Sequence, residues 1–241
     1  MGEALYLEDS YMRECDARII CVTGKEVLLD RTIFYPRGGG QPSDTGTIIS
    51  ETGSRFRVVN VIKKEGKIVH ELAPETEGGT IALASGESVY CVLDWERRYK
   101  LMRMHTAAHV LAAIMHRELG VLITGNQLEE DKTRFDFSMP EFDRAKFEVV
   151  VEKANAALSS GVGLKAYTLP RDEAMKIPGV VKLANALPPS ITELRIVEIL
   201  DIDVQADGGT HVRSLKEVGK ISISKLENKG KDNRRIYFTL S

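Results

Sequence analysis

The sequence predicts a two-part α+β protein: a small β-barrel-like domain over residues 1–95, then a two-layer α+β domain over residues 96–241 whose sheet is mostly antiparallel. Several short apolar runs separated by turn residues precede residue 95, a spacing typical of a small barrel or sandwich. At residues 94–100 the apolar pattern changes from a period of two to a helical period. Helical and strand-like segments then alternate up to a C-terminal hairpin, which indicates helices packed on an antiparallel sheet.

The composition is that of a folded protein with one large or two modest cores, since its 241 residues are 43% hydrophobic and 28% charged. No apolar run approaches the roughly 18 residues that span a bilayer, and the N-terminus has no signal-peptide pattern, so we expect a cytoplasmic protein without a membrane partner. The net charge of −2 means that a nucleic-acid partner needs a local basic patch. Cys15, Cys21 and Cys91 form no CxxC pair, which favours a reducing compartment, and we expect them to be small buried apolar residues.

The strands of the N-terminal domain are predicted from short apolar runs that are rich in β-branched residues. These runs lie at residues 17–22, 26–30, 46–50, 56–62, 67–72 and 89–94. Turn residues separate them at 23–25, 51–54 and 63–66.

A glycine-rich segment interrupts this domain at residues 34–42, Phe-Tyr-Pro-Arg-Gly-Gly-Gly-Gln-Pro. Three glycines between two prolines cannot form the interior of a strand, but they allow the backbone to approach another group closely. Arg37 and Gln41 are then placed to contact a ligand. A flexible surface turn is the alternative interpretation.

The helix predicted from residue 94 to residue 119 carries two histidines, and Gly120 suits the position just past its end. His105 and His109 are four residues apart and share one face, so both imidazoles can bind one metal ion. The alternative is one structural histidine and one that caps or pairs with a charge. The early part of the helix is basic through Arg97, Arg98, Lys100 and Arg103. This run is either a solvated face or a phosphate-binding patch.

The remaining segments alternate between strand and helix. Strands are predicted at residues 121–128, 133–138, 164–169 and 194–201, and in a final hairpin at 220–226 and 235–240. A second helix is predicted from Phe142 to about residue 160, after Pro140, and a short helix at residues 170–176.

The loop at residues 203–212 carries a second pair of potential ligands, Asp207 and His211, again four residues apart. Carboxylate oxygen and imidazole nitrogen are both zinc donors, and Gly208 and Gly209 let the loop fold tightly. The two pairs together favour a metal site over chance. Three histidines and an open position would form a catalytic zinc site, whereas four protein ligands would form a closed structural one.

Thr106 stands where the HExxH motif of metalloproteases has its catalytic glutamate. The helix therefore lacks the base for peptide hydrolysis. Ester hydrolysis is less demanding, because an alcohol leaves more readily than an amine, and a metal that binds water or orients the substrate suffices.

Three motifs resemble the editing domain of alanyl-tRNA synthetases and their free-standing relatives, the AlaX proteins. They are the histidine segment 105–109 with the Gly-Gly-Thr-His segment 208–211, the glycine-rich segment 34–42, and the strand 133–137. They occur in the family's order and cover nearly the whole chain, so the resemblance is specific. No adenylation domain precedes the segment, and we therefore expect the free-standing, medium-length AlaX type.

This resemblance implies a zinc-dependent enzyme that hydrolyses the ester linking serine, or glycine, to mischarged alanine tRNA. It implies His105, His109 and His211 as ligands of one zinc ion per chain, with Asp207 at the fourth position, where the family usually has cysteine. It makes Thr124 a candidate for contacting the serine hydroxyl. The predicted substrate-binding residues are Thr124, Gln127, Gly208, Gly209 and Thr210. The predicted tRNA-binding residues are Arg37, Gly39, Gln41, Arg97, Arg98, Lys100 and Arg103.

Two other functions fit the same residues. One is a non-catalytic tRNA-binding module whose metal is structural, and the other is a metallohydrolase of small esters. The sequence assigns no protein general base, indicates no obligate protein partner and leaves the oligomeric state open.

Overall fold

The computed structural model describes residues 2–139, 144–180, 191–230 and 232–241, which form two compact units with a border between Lys100 and Leu101. The elements of the first unit are β1 (Glu3–Ala4), α1 (Leu5–Glu8), β2 (Glu14–Thr23), β3 (Glu26–Leu29), β4 (Arg31–Thr32), β5 (Gly46–Ser50), β6 (Arg55–Lys64), β7 (Lys67–Pro74), β8 (Ser88–Leu93) and the start of α2 (Trp95–Leu119). The predicted strands are present. The short elements β1, α1 and β4 are additional, because runs of two to four residues leave no periodic pattern.

Six of these strands close into a barrel in the order β2-β3-β7-β6-β5-β8, and every neighbouring pair is antiparallel. Inward and outward residues alternate along each strand, as Ala17 and Ile19 on β2 and Phe56 and Val58 on β6 illustrate. These inward side chains form one apolar core. The structure thus selects the barrel from the two architectures that the strand spacing allowed.

His70 on β7 is fully buried in the barrel unit and has a partner for each ring nitrogen. Its Nδ1 lies 3.1 Å from the carbonyl oxygen of Val27, which only accepts, so Nδ1 carries the proton. The hydroxyl of Thr32, 2.8 Å away, therefore donates to Nε2 and itself accepts from the backbone N–H of Phe34. The ring is held as a neutral imidazole with both nitrogens satisfied.

The second unit contains the rest of α2 and two antiparallel sheets. Its further elements are β9 (Leu122–Leu128), β10 (Thr133–Ser138), α3 (Arg144–Ser159), β11 (Leu164–Pro170), α4 (Arg171–Ala174), β12 (Glu193–Ile199), β13 (Asp203–Ala206), a 3-10 turn (Leu215–Glu217), β14 (Ile221–Asn228) and β15 (Asn233–Leu240). One sheet has the order β14-β15-β10-β9 and the other the order β11-β12-β13. The α+β fold class predicted from the sequence is confirmed.

Helix α2 is buried almost all round between Leu101 and Met115, which makes it the central element of the second unit. It ends as predicted, because Gly120 adopts a φ of +66° and its N–H bonds the carbonyl of His116. Helix α3 begins at Arg144 in the described residues, and the predicted start at Phe142 with Pro140 lies outside them. None of the described helices combines the length and the hydropathy that crossing a membrane requires.

Candidate metal centre

Two imidazoles of the centre come from successive turns of α2. His105 and His109 are both buried, and their ring centroids lie 4.9 Å apart in an edge-to-face arrangement. The spacing of four residues places them on the same side of the helix, as the sequence predicted. Burial of two polar rings on one helix face requires partners, which the rest of the second unit supplies.

The other two donors come from the loop that follows β13. The ring of His211 stacks on that of His105 at 4.3 Å and meets that of His109 at 4.7 Å. Asp207 Oδ2 lies 2.8 Å from His211 Nε2, and Asp207 Oδ1 lies 3.8 Å from His105 Nε2. One donor atom from each of these four residues lies within 4.8 Å of the other three.

This donor set fits a zinc ion. Zinc bonds to nitrogen and oxygen are about 2 Å long, so its ligand atoms lie up to about 4 Å apart. The four donors are already gathered to within 4.8 Å, and a small contraction brings them to bonding distance. Three imidazole nitrogens and one carboxylate oxygen are ligands that borderline metals such as zinc accept.

The loop reaches His105 only because residue 209 is glycine. A Cβ atom at Gly209 would lie 2.2 Å from His105 Cε1, so no side chain fits there. The N–H of Gly209 donates to Asp207 Oδ2 at 2.9 Å and holds the carboxylate. Arg195 on β12 donates to the carbonyls of Asp207 and Gly209 at 3.0 and 3.1 Å, and so holds both ends of the turn at residues 207–209.

Two further side chains orient the imidazoles from outside the donor set. The hydroxyl of Thr106 lies 3.1 Å from His211 Nδ1 and accepts from the N–H of Val212. Asp203 Oδ2 lies 3.0 Å from His109 Nδ1, and Gln205 donates to the same oxygen at 3.0 Å. Such partners fix ring orientation and tautomer in metal sites.

Burial and local charge favour the protonation states that a metal needs. Burial lowers the pKa of His105 well below its ordinary value and that of His211 to about 4, so both rings are neutral. Burial alone would raise the pKa of Asp207, but the imidazoles of His105 and His211 hold it well below its ordinary value. Neutral imidazoles and an ionised carboxylate are metal-binding forms.

The other residues predicted to bind the substrate lie in two places. Gly208 lies in the metal loop beside Gly209, whereas Thr210 is fully buried and packs inside the unit. Thr124 and Gln127 are exposed on β9, where Thr124 donates to Asn233 Oδ1 at 3.4 Å and Gln127 to Glu129. Gly208 and Gly209 therefore lie in the segment that carries Asp207 and His211, and Thr124 and Gln127 lie on a strand of the four-stranded sheet.

The glycine-rich segment forms an ordered loop of the barrel unit. Gly38 and Gln41 exchange backbone hydrogen bonds, and Gly39 and Gly40 adopt φ values of +58° and +88°, which favour glycine. Gln41 is 1% exposed, so the prediction that it contacts tRNA is not supported by its position. Arg37 and Gly39 are exposed.

Most basic side chains at the start of α2 hydrogen-bond to groups of the protein itself. The prediction that Arg98 binds tRNA needs correction. Its guanidinium is 0% exposed, pairs with Asp44 through Nε at 3.0 and 3.1 Å, and donates to two backbone carbonyls. A phosphate cannot reach it. Arg97 donates to the carbonyl of Ser43 and Arg103 to that of Val218, while the side chain of Lys100 is exposed.

Sequence reasoning missed the residues that support the ligands. Asp203 and Gln205 carry no local signal, because both contact the ring of His109, which lies more than 90 residues earlier in the sequence. Arg195 binds the carbonyl of Asp207 from the neighbouring strand β12, a contact that no sequence pattern marks. Thr106 was recognised only as a replacement for glutamate, and its position directly after a ligand was the available signal.

Comparison with known proteins agrees with this geometry. Residues 5–97 match a family model described as tRNA synthetases class II (A), and residues 194–237 match one described as threonyl and alanyl tRNA synthetase second additional domain. The chain is 43% identical to an alanyl-tRNA editing protein AlaX-M of Saccharolobus solfataricus, over 100% of this chain and 99% of that one. It is 46% identical to one of Methanosarcina mazei, over 100% and 97%.

A longer relative places the same segment within a synthetase. An alanine–tRNA ligase of Ignicoccus hospitalis is 39% identical over 91% of this chain but only 24% of its own length. The two editing proteins, in contrast, are matched over 99% and 97% of their own length. The chain therefore belongs to the AlaX family of alanyl-tRNA editing proteins.

Proposed function

We propose that this protein is a zinc-dependent deacylase that hydrolyses the ester of serine wrongly attached to alanine tRNA, with glycine-charged alanine tRNA as a second substrate. One observation carries the proposal. A set of three buried imidazoles and one half-buried carboxylate lies in a chain that is similar over its full length to proteins named alanyl-tRNA editing proteins. Its tRNA substrate makes the cytoplasm the expected location.

The protein's own side chains bind and orient in this mechanism. His105, His109, His211 and Asp207 would hold one zinc ion, which supplies a Lewis acid to polarise an ester carbonyl or to acidify a water molecule. Asp203 orients the His109 ring rather than accepting a substrate proton, because its carboxylate is already hydrogen-bonded to that ring and to Gln205. We assign no protein general base, which suits an ester whose leaving group is an alcohol.

The substrate contacts that we propose follow from exposure. The N–H of Gly209 already donates to Asp207, so we assign Gly208 to the contact with the ester. Thr124 is assigned to the serine hydroxyl, since its own hydroxyl is exposed and its 3.4 Å hydrogen bond to Asn233 is long enough to be exchanged. The exposed cations Arg37 and Lys100 are assigned to tRNA phosphates.

A separate editing site has a physical reason to exist. A small synthetase pocket for alanine rejects serine weakly, because an added hydroxyl or a missing methyl group changes binding only modestly. A second site that must hydrogen-bond the hydroxyl rejects alanine strongly, because alanine leaves its polar groups unpaired.

Deacylation of serine-charged alanine tRNA by the purified protein tests the proposal. We expect hydrolysis that chelation abolishes and zinc restores, and loss of activity in the His105→Ala and His109→Ala variants. Activity that survives both chelation and these substitutions would overturn the metal mechanism. Asp207→Ala is expected to lower zinc content, and unchanged content would remove Asp207 from the ligand set.

The same assay separates the two other functions. Binding of tRNA without turnover would indicate a non-catalytic module with a structural metal. Equal hydrolysis of free seryl esters and of charged tRNA would indicate a small-ester metallohydrolase, so the free ester is the matched control substrate.

A further inference from the structure

Two cysteines of the barrel unit face each other across neighbouring strands. Cys15 on β2 and Cys91 on β8 are direct partners in the antiparallel register. Both side chains point inward, because they follow the alternation of Ala17 on β2 and of Val89 and Leu93 on β8. Cys91 belongs to the buried apolar core and Cys15 packs against it.

We propose that Cys15 and Cys91 form a reversible disulfide when a peroxide reaches the barrel, which makes this pair a redox modification site. The proposal is independent of the metal centre, whose four donor residues all lie in the other unit.

The register places the two Cα atoms within the range of disulfides. Leu93 donates its N–H to the Arg13 carbonyl, so this neighbouring pair is of the hydrogen-bonded kind, and Cys15 with Cys91, two residues further along both strands, is of the same kind. Such partners have Cα atoms about 5.5 Å apart, within the range of about 4.4–6.8 Å seen in disulfides. Non-hydrogen-bonded pairs are the closer ones, so the Cβ atoms of this pair are about 5.5 Å apart and must approach by about 1.5 Å to reach disulfide geometry.

The two thiols have different environments, which assigns their roles. The Cys91 thiol donates a hydrogen bond to the Cys15 sulfur and, together with the backbone N–H of Ile33 and against the effect of burial, lowers the pKa of Cys15. The same hydrogen bond and burial raise the pKa of Cys91. Cys15 is half-buried, whereas Cys91 is fully buried. Cys15 is therefore the thiol that a small oxidant attacks first, and Cys91 is the thiol that resolves the product.

The chemistry balances with one peroxide molecule. The Cys15 thiolate attacks one oxygen of hydrogen peroxide, the O–O bond breaks, and with one proton taken up the products are a sulfenic acid and water. The Cys91 sulfur then attacks the Cys15 sulfur. The S–O bond breaks, and the hydroxide leaves as a second water with the proton of the Cys91 thiol. Two thiols are oxidised by two electrons and one peroxide is reduced to two waters.

The disulfide would join β2 and β8, the strands whose pairing closes the barrel. A covalent link between Cys15 and Cys91 restricts the unfolded chain over the whole intervening sequence. Oxidation should therefore raise the temperature at which the barrel unfolds. The single tryptophan, Trp95, lies in the same unit and reports this transition.

The test treats the folded full-length protein with hydrogen peroxide and maps its cysteines by mass spectrometry after alkylation of free thiols. Cys21 is exposed and serves as the internal reference in the native chain, and the Cys21→Ser variant removes intermolecular bonding. We expect peptides containing Cys15 and Cys91 to be recovered joined, with the mass lowered by two hydrogen atoms. We also expect a higher unfolding temperature by Trp95 fluorescence, and both changes should be reversed by dithiothreitol.

Two single variants test the order of the steps. In Cys91→Ala the sulfenic acid of Cys15 should persist and be trapped by dimedone, whereas in Cys15→Ala residue 91 should stay a free thiol. Unchanged Trp95 fluorescence before oxidation shows that each variant is folded. If Cys21 is oxidised while Cys15 and Cys91 stay free, or if they join only after unfolding, the proposal is wrong.

Discussion

At the scale of single residues, the candidate metal centre depends on side chains outside its donor set. His211 presents Nε2 towards Asp207, so coordination through that atom requires the ring proton on Nδ1, where the hydroxyl of Thr106 accepts it. Asp203 does the same for His109 through Nδ1. Both supporting groups are buried, so water cannot replace them easily. Thr106, which stands where metalloproteases have their catalytic glutamate, therefore has a positioning role of its own.

Replacing Thr106 by valine should weaken metal binding without removing a ligand. Valine keeps the shape of threonine but loses the hydroxyl that fixes the His211 ring, and loss of such a group typically lowers metal affinity about 10–100-fold. Competition with a chromophoric chelator measures the dissociation constant. Thr106→Ser, which keeps the hydroxyl, should restore most of the affinity.

Thr133 provides the matched control, because it is another fully buried threonine of the same unit and its hydroxyl contacts the sulfur of Met104 instead of a ligand. Thr133→Val should alter stability alone. Equal zinc affinity in Thr106→Val and the unmodified protein would show that Thr106 does not position His211.

His70 makes the stability of the barrel unit sensitive to acid. Burial lowers its pKa to about 4, whereas the unfolded chain has a pKa near 6.5. The unfolded state therefore binds more protons between these values, so stability is complete above about pH 6.5 and is lost as the pH falls towards 4. The shift corresponds to about 3 kcal/mol.

Urea unfolding followed by Trp95 fluorescence across this pH range measures the effect. The His70→Gln variant has no titrating ring, so its unfolding free energy should fall less steeply with acidification than that of the unmodified protein. Parallel curves for the two proteins would rule out His70 as the source of the pH dependence.

At the scale of elements, helix α2 combines two tasks in different turns. Asp94 caps its start by accepting from the N–H of Arg97, and Arg98 joins its first turn to Asp44 beside the glycine-rich loop. His105 and His109 follow two turns later. The loop after β13 is its counterpart, because Asp207 and His211 reach the helix face only through the close approach of Gly209.

The two neighbouring glycines of that loop should respond differently to alanine. A Cβ atom at Gly209 would lie 2.2 Å from His105 Cε1, so Gly209→Ala must displace the loop or the ring and should abolish most metal binding. No heavy atom lies within 4 Å of a Cβ placed at Gly208, so Gly208→Ala should retain zinc. Zinc content by atomic absorption measures both. Equal retention in the two variants would contradict the close packing at Gly209.

At the scale of the whole molecule, the sequence predicted what local patterns encode. The strand spacing, the change to a helical period and the His-x-x-x-His and Asp-x-x-x-His pairs depend on residues close together in the chain, and they indicated the fold class and the four clustered donors. The orienting contacts of Thr106 and Asp203 and the burial of Arg98 depend on partners 54 to 105 residues away. A run of basic residues looks the same in the sequence whether its side chains are exposed or buried. The prediction that Arg98 binds tRNA was wrong for this reason.

Removal of the metal should loosen one unit and leave the other unchanged. The four donors lie in the second unit, so chelation should accelerate amide exchange in residues 203–212 and in β12, whereas the barrel strands should keep their protection. Hydrogen–deuterium exchange with mass spectrometry measures both. Asp207→Ala is the control, since it should show the faster exchange without chelator. An equal change in the barrel strands would contradict this expectation.

The wide separation of the two donor pairs also sets when the site can form during synthesis. His109 leaves the ribosome long before its partner Asp203, which follows 94 residues later. The nascent helix therefore holds only two of the four donors, and bringing the others to it carries the entropy of closing a long loop. A zinc ion held by all four donors would therefore be captured late in folding, after translation has passed His211.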